Sequence, residues 1–394
     1  MRTTSLVLGI ALALPLALAA QQPVADTTKP ARDTTKPAPP PAATVSVPVD
    51  FSGVIYANYQ YRGDRGAPNP SNKFDLERAY LTFRMPAGDR ASIRITADVF
   101  QQTANGSDAF YRGWVIRAKY AYLQYDLLKS AYWNANIRAG LLHNVVIDHI
   151  EQFWPRWISQ TPEERAGFFA SSDAGIATLW SFPNKWGEFY ATIVNGPGYT
   201  SREVDRFKDY AARVTLNPLS SSDNKVLKTL ALTGWTYVGA VASTFVSGGV
   251  GQIGPIGSSM PRTRSGVFVG VRDPRLTLGS EWSTRKDGRD VGLNTLVSPR
   301  TEFDSTGRLL AGFVVMKPFQ LFSQSALPLG LVARWDRFKP NTDTDADINT
   351  VIAGFTWDIN KKTAISLDYQ EATPHNGAIF TPTKTYYMHL VANF

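Results

Sequence analysis

From Val49 to the last residue, apolar and polar side chains alternate with period two in one segment after another. The pattern is cleanest at Lys384–Phe394, which reads KTYYMHLVANF. Tyr386, Met388, Leu390, Ala392 and Phe394 share one parity; Thr385, Tyr387, His389 and Asn393 share the other. Successive side chains of a strand point to opposite faces, so one face here is apolar and the other mixed polar. The same alternation predicts strands at Val49–Arg62, Phe74–Arg84, Ala91–Gln102, Lys119–Leu127, Trp133–Leu142, Asp173–Phe182, Glu188–Asn195 and Asp209–Asn217. It continues at Lys228–Val238, Ser265–Arg272, Leu276–Thr284, Arg308–Met316, Leu329–Phe338, Ile348–Ile359 and Thr363–Gln370. With the terminal strand these make sixteen. The two faces are poorly distinguished at Asp173–Phe182, Lys228–Val238 and Arg308–Met316. No convincing long helix interrupts the series.

The connections carry a second periodicity. Long gaps, among them Thr103–Arg117, His143–Ser172, Gly239–Arg264 and Arg285–Gly307, alternate with mostly short ones such as Met85–Arg90, Leu128–Tyr132 and Asp273–Arg275. Two of the short class, Pro218–Leu227 and Lys317–Pro328, are looser. A soluble sandwich has no reason to keep that alternation. A transmembrane antiparallel β-barrel does, with loops on one side and turns on the other. Closure also pairs the last strand with the first and leaves no open edge. The fold expected is all-β, a sixteen-stranded barrel over residues 49–394.

The N-terminal stretch differs. Arg2, the apolar run Leu6–Leu18 and the small-residue site Ala17-Leu18-Ala19 predict an export signal over residues 1–20. Residues 21–48 repeat DTTKPA at Asp26–Ala31 and Asp33–Ala38, followed by Pro39, Pro40 and Pro41. Such a segment cannot bury a core. It is expected to be a periplasmic linker, either a tether or a disordered tail.

Composition adds exclusions. There is no cysteine, hence no disulfide and no thiolate metal site. Beyond the N-terminus no run of roughly 18 apolar residues could form a membrane helix. Aromatic residues are 12 % of the chain, which suits the girdles of a membrane barrel. The net charge is +8, compatible with nucleic acid, anionic lipid or an anion path; no nucleic-acid motif supports the first. His143, Asp148, His149 and Glu151 do not match a metal-site spacing. Asp343, Asp345 and Asp347 lack the glycine and glutamate of a calcium loop, so no metal is assigned. With 4 His and no GxSxG, an enzyme is not expected.

Several stretches resemble the phosphate-selective porin family of the O/P type. These are FDLERAYLTFR at Phe74–Arg84, IVNGPGY at Ile193–Tyr199, YAARV at Tyr210–Val214 followed by Asn217-Pro218, and the terminal strand. Their order is shared along nearly all of Val49–Phe394. The resemblance implies a sixteen-stranded, usually trimeric channel for small solutes in the outer membrane. It needs no cofactor, and its partners are outer-membrane lipids and the solutes themselves. Phe394 resembles the terminal aromatic that the barrel-assembly machinery reads.

In such a channel selectivity comes from charges along a narrow wet path. Counting about 3.3 Å per residue from the turns puts Arg78, Arg94, Arg138, Arg213 and Arg334 at a common depth on the polar parity. Asp126, Glu281 and Asp368 share that band, and Asp98 and Asp336 sit somewhat higher. Arginine suits an anion path because it stays charged and offers a planar fork of donors. Two readings stay open: these arginines line a weakly anion-selective path, or they pair with the acids and brace the wall. The loop His143–Ser172 is expected to fold into the lumen, with Arg156 and Arg165 at the constriction; an outward loop packed on its own aromatics is the alternative.

Overall fold

The computed structural model describes residues 48–63, 72–102, 113–203, 205–242, 244–247, 250–253, 259–290, 302–323, 325–378 and 380–394. The expected export signal and all but the end of the expected linker lie outside the described residues.

The strands are β1 (Asp50–Arg62), β2 (Asn72–Pro86), β3 (Ala91–Gln101), β4 (Trp114–Lys129), β5 (Asn134–His143), β6 (Ser172–Ser181), β7 (Gly187–Val194), β8 (Asp209–Leu216) and β9 (Ala231–Ala242). A small hairpin, β10 (Thr244–Ser247) and β11 (Val250–Ile253), follows. Then come β12 (Ser259–Asp273), β13 (Leu276–Asp290), β14 (Glu302–Met316), β15 (Leu329–Lys339), β16 (Asp347–Asp358), β17 (Thr363–His375) and β18 (Thr383–Asn393). All except β10 and β11 close into one antiparallel barrel of sixteen strands, in which β18 pairs with β1. The sixteen expected segments each fall on one of them. β12, β13 and β14 run further into the long-loop side than the alternation predicts. There the outward face turns polar, as at Lys286 and its partner Thr306, so pairing continues after the amphipathic signal has ended.

The outward face is the apolar one. Ile95, Leu123, Ile176, Ile193, Val214, Leu232, Val267, Leu278, Leu310, Phe355, Leu367 and Met388 are all exposed. Exposed aromatics mark both ends: Phe51, Tyr132, Trp186 and Trp357 toward the turns, Tyr61, Phe74, Trp114 and Tyr386 toward the loops. A band of this kind fits hydrocarbon between two interfaces.

The seam is sealed by the last residue. Phe394 and Gly53 exchange two backbone hydrogen bonds of 3.0 Å. The Phe394 ring lies over Gly53 and against Phe51, with centroids 5.9 Å apart. A Cβ at position 53 would stand 2.2 Å from that ring, so a larger residue there would require the Phe394 ring to move.

Among the described residues three bulges break the register. Tyr56 pairs with Arg78 and Ala57 with Leu76, passing over Glu77. Thr96 pairs with Tyr120 and Ala97 with Ala118, passing over Lys119. A third falls at Leu127 of β4. Each of the first two puts two consecutive side chains, Glu77 with Arg78 and Lys119 with Tyr120, on the lumen side.

Candidate functional site

The site is the barrel interior, and residues 144–171 divide it. After β5, the Asn144 side chain accepts from the backbone N–H groups of Val146 (2.9 Å) and Ile147 (3.3 Å), which starts α1 (Ile147–Ile150). Thr161 caps α2 (Pro162–Arg165) by accepting from the Glu164 N–H, with proline in the first turn. Between these turns the chain lays an apolar underside on the inner wall. Trp154 meets Phe313 (5.4 Å between centroids), Phe153 meets Phe268 (4.8 Å), and Phe169 meets Trp235 (5.4 Å) and Tyr237 (5.2 Å). Val145, Val146, Ile147, Ile150 and Ile158 join Leu309, Val332 and Ile352 in the same cluster. Each such side chain buried contributes about 1.5–3 kcal/mol. The loop thus packs on inward-facing side chains of β9, β12 and β14.

Backbone carbonyls of the loop would be stranded in this dry contact without donors. The wall supplies them. Arg213 donates to Val145 O (2.8 Å), Arg334 to Gln160 O, Arg285 to Ala166 O and Gly167 O (2.9 Å each), and Gln370 to Ile158 O (2.9 Å). Arg213 also pairs with Glu188, and Arg334 pairs with Asp336 while stacking 4.9 Å over Trp154. Arg213, Arg334 and Glu281 were expected to line a wet path at mid-depth. They do face inward, but the loop covers them and all three are buried. Asp336 lies beneath the loop with Arg334.

The other expected residues occupy the opposite wall, β1–β5 with β17 and β18. Asp98 is fully buried, held by Arg117 (2.9 Å) and Arg78 (3.8 Å). Arg94 donates to His143 Nε2 (2.9 Å) and Thr96 Oγ1 (3.3 Å) and stacks 4.9 Å over Tyr120. Arg138 donates to Gln124 Oε1 (3.0 Å), and Gln124 in turn donates to Asp126 (3.0 Å). Among the described residues neither Arg94 nor Arg138 has a carboxylate within ion-pair distance. Asp368 accepts from Ser366 (2.6 Å) and Gln370 (3.0 Å) and lies 3.5 Å from His389. The common depth does not hold. Arg94 stands opposite Arg84, roughly 20 Å along β2 from Arg78 at about 3.3 Å per residue.

The two loop arginines reach across the lumen differently. Arg156 meets Glu77 of β2 (3.1 Å), Glu164 (3.4 Å) and Glu151 (3.5 Å), so its charge is more than matched. Arg165 donates to Ser159 Oγ (3.2 Å) and Gln370 Oε1 (3.3 Å). Arg117, Lys119, Glu77 and Arg285 escape the sequence reading. The first three lie at or beside bulges, where strict alternation gives the wrong face or an early strand boundary.

IVNGPGY proves to be a strut. Asp173 accepts from the Gly196 (2.6 Å) and Gly198 (3.2 Å) N–H groups, and Tyr199 accepts from Arg117 (2.8 Å). Gly198 sits at φ +80°, a conformation that favours glycine.

The field in the interior is uneven. The Asp148 side chain keeps 46 % of its surface accessible although it lies within the barrel, 3.6 Å from His143. Burial pushes its carboxyl up, but His143, Arg213, Arg94 and Lys119 outweigh that and hold it below the usual range. Burial, with Arg213 and Arg272 nearby, holds His149 far below the ordinary imidazole value. It is therefore neutral, with Nε2 2.9 Å from Thr233 Oγ1. Glu151 is raised by burial, against the pull of Lys119 and Arg156. Among the described residues no three His, Asp or Glu side chains are grouped to hold a metal ion.

No protein-family model matches the chain, and no curated protein sequence matches it. Solved structures do. The anion-selective porin from Comamonas acidovorans superposes with a TM-score of 0.58 at 11 % identity, over 89 % of this chain and 100 % of that one. Salmonella typhi OmpF in complex with daunomycin gives 0.56 at 11 %, over 88 % and 97 %. The trimer form of OmpT, an outer membrane protein of Vibrio cholerae, gives 0.55 at 10 %, over 89 % and 100 %. At such identities the likeness is one of fold: the chain has the barrel fold of the bacterial outer-membrane porins. Within that class no narrower family is assigned by these matches.

Proposed function

We propose that this chain is an outer-membrane porin through which small hydrophilic solutes diffuse passively, with a preference for anions. The observation that carries the reading is the wall opposite the loop. Arg94 and Arg138 are there held by neutral acceptors and aromatic rings, with no carboxylate partner among the described residues. Arg94 is also one of the groups, with His143, Arg213 and Lys119, that hold the Asp148 carboxyl below its usual range. The path runs between the loop's polar side and β1–β5, off the barrel axis. The motif resemblance to phosphate-selective porins supports anionic solutes, and the fold shared with a trimeric outer-membrane protein supports a homotrimer. In this reading residues 1–20 direct export, residues 21–48 form a periplasmic linker, and Phe394 serves the assembly machinery.

A second reading has its own support. The dry contact packs the loop against the inner wall, as in a barrel that does not conduct and acts as scaffold or adhesin. Reconstitution in planar bilayers separates the two. The porin reading expects stepwise conductance and a reversal potential of anionic sign in a salt gradient. A folded barrel that stays silent sinks it.

A further inference from the structure

Where α2 meets β13, the wall and the loop each contribute a buried glutamate. Glu163, 0 % exposed, faces Glu281, 3 % exposed, and accepts from Ser283 Oγ at 3.4 Å; among the described residues no donor reaches Glu163 Oε2 or either carboxyl oxygen of Glu281. Arg334 and Asp336 of β15 are the nearest other charges, with Arg165 of α2 behind them. Arg334 is already engaged by the Asp336 carboxylate and Gln160 O. Arg285 of β13 is turned to the carbonyls of Ala166 and Gly167. The lumen face of β14 adds only Leu309, Ala311 and Phe313. A carboxyl–carboxyl hydrogen bond requires a proton, since two carboxylates offer only acceptors.

We propose that Glu163 and Glu281 form a protonation latch: a shared proton fastens the inserted loop to the wall, and its loss releases the loop and widens the path. Burial holds the Glu163 carboxyl above the ordinary carboxylate range, the direction this requires. The sign follows. The docked loop holds a proton that the free loop, with its glutamate in water, gives up near the ordinary value. Docking is thus strongest in acid, weakens by up to tenfold per pH unit between the ordinary carboxylate range and the raised titration, and levels off above it. The latch would regulate the passage proposed above, but loop release is measurable whether or not the barrel conducts.

Arg156 and Arg165 are trypsin sites inside the loop and are shielded while it is docked. Folded protein in detergent micelles is digested at about pH 6 and about pH 9, with an unfolded reporter peptide correcting for the protease's own pH response. Wild type is expected to be cut in the loop about tenfold faster at the higher pH. The E163Q/E281Q variant, whose amides keep a hydrogen bond without a titratable proton, is expected to stay uncut at both. E163Q alone carries the same expectation should the double variant not assemble. An equal pH response in wild type and variant, or none in wild type, overturns the latch.

Discussion

The two halves of this lumen solve opposite problems. Under the loop, β9, β12 and β14 present large apolar side chains, and guanidiniums of β8, β13 and β15 serve as donors for loop carbonyls. Across from it, β1–β5 with β17 and β18 present charges and amides; Arg94 and Arg138 there lie over tyrosine rings and beside neutral acceptors, while Arg78 and Arg117 pair with Asp98. The same residue type therefore does two jobs. Arg334 is part of a folded interior, while Arg94 stays half-buried beside His143 and Tyr120, and under the proposed function it borders the path left to solute. An inward parity says that a side chain faces the barrel's inside; it does not say whether water is there.

Substitutions in the two halves should part company. Arg334→Met leaves the Asp336 carboxylate and Gln160 O buried without their donor, and we expect a loss of about 3–5 kcal/mol in denaturant unfolding. Arg94→Met should cost under about 1 kcal/mol and act on selectivity instead. Equal losses would erase the distinction. Trp154→Ala removes the indole packed on Phe313 and should cost about 3–5 kcal/mol, with faster proteolysis of the loop and larger single-channel steps. Arg94→Glu with Arg138→Glu should lower the anion-to-cation permeability ratio about tenfold, read from the reversal potential. An unmoved potential would take the path away from β3 and β5. The smallest change is expected for Asp148→Asn, about a twofold rise in anion preference. Because the Asp148 carboxyl is held low, wild-type selectivity should stay level as pH falls through the ordinary carboxylate range, and drift toward anions only below it.

Much of the barrel was legible because lipid enforces alternation. The terminal strand and the rhythm of loops and turns were enough to give closure and strand number. The segments whose faces read alike mark something the alternation could not name. Asp173–Phe182, Lys228–Val238 and Arg308–Met316 carry Ala177 and Leu179, Trp235 and Tyr237, and Leu309, Ala311 and Phe313 on their inward parity. They are apolar on both sides because lipid lies against one and the loop against the other. Bulges hid the rest: Glu77 and Lys119 each share a face with the neighbouring residue, which no period-two reading assigns.

The greasy inner wall bears on anyone who would use this barrel as a wide-bore nanopore. Excising residues 144–171 would not yield a smooth, wetted tube. It would lay bare Trp235, Phe268, Leu309 and Phe313 to water, and bores stripped in this way should stick to one another or to passing hydrophobic cargo before they conduct better.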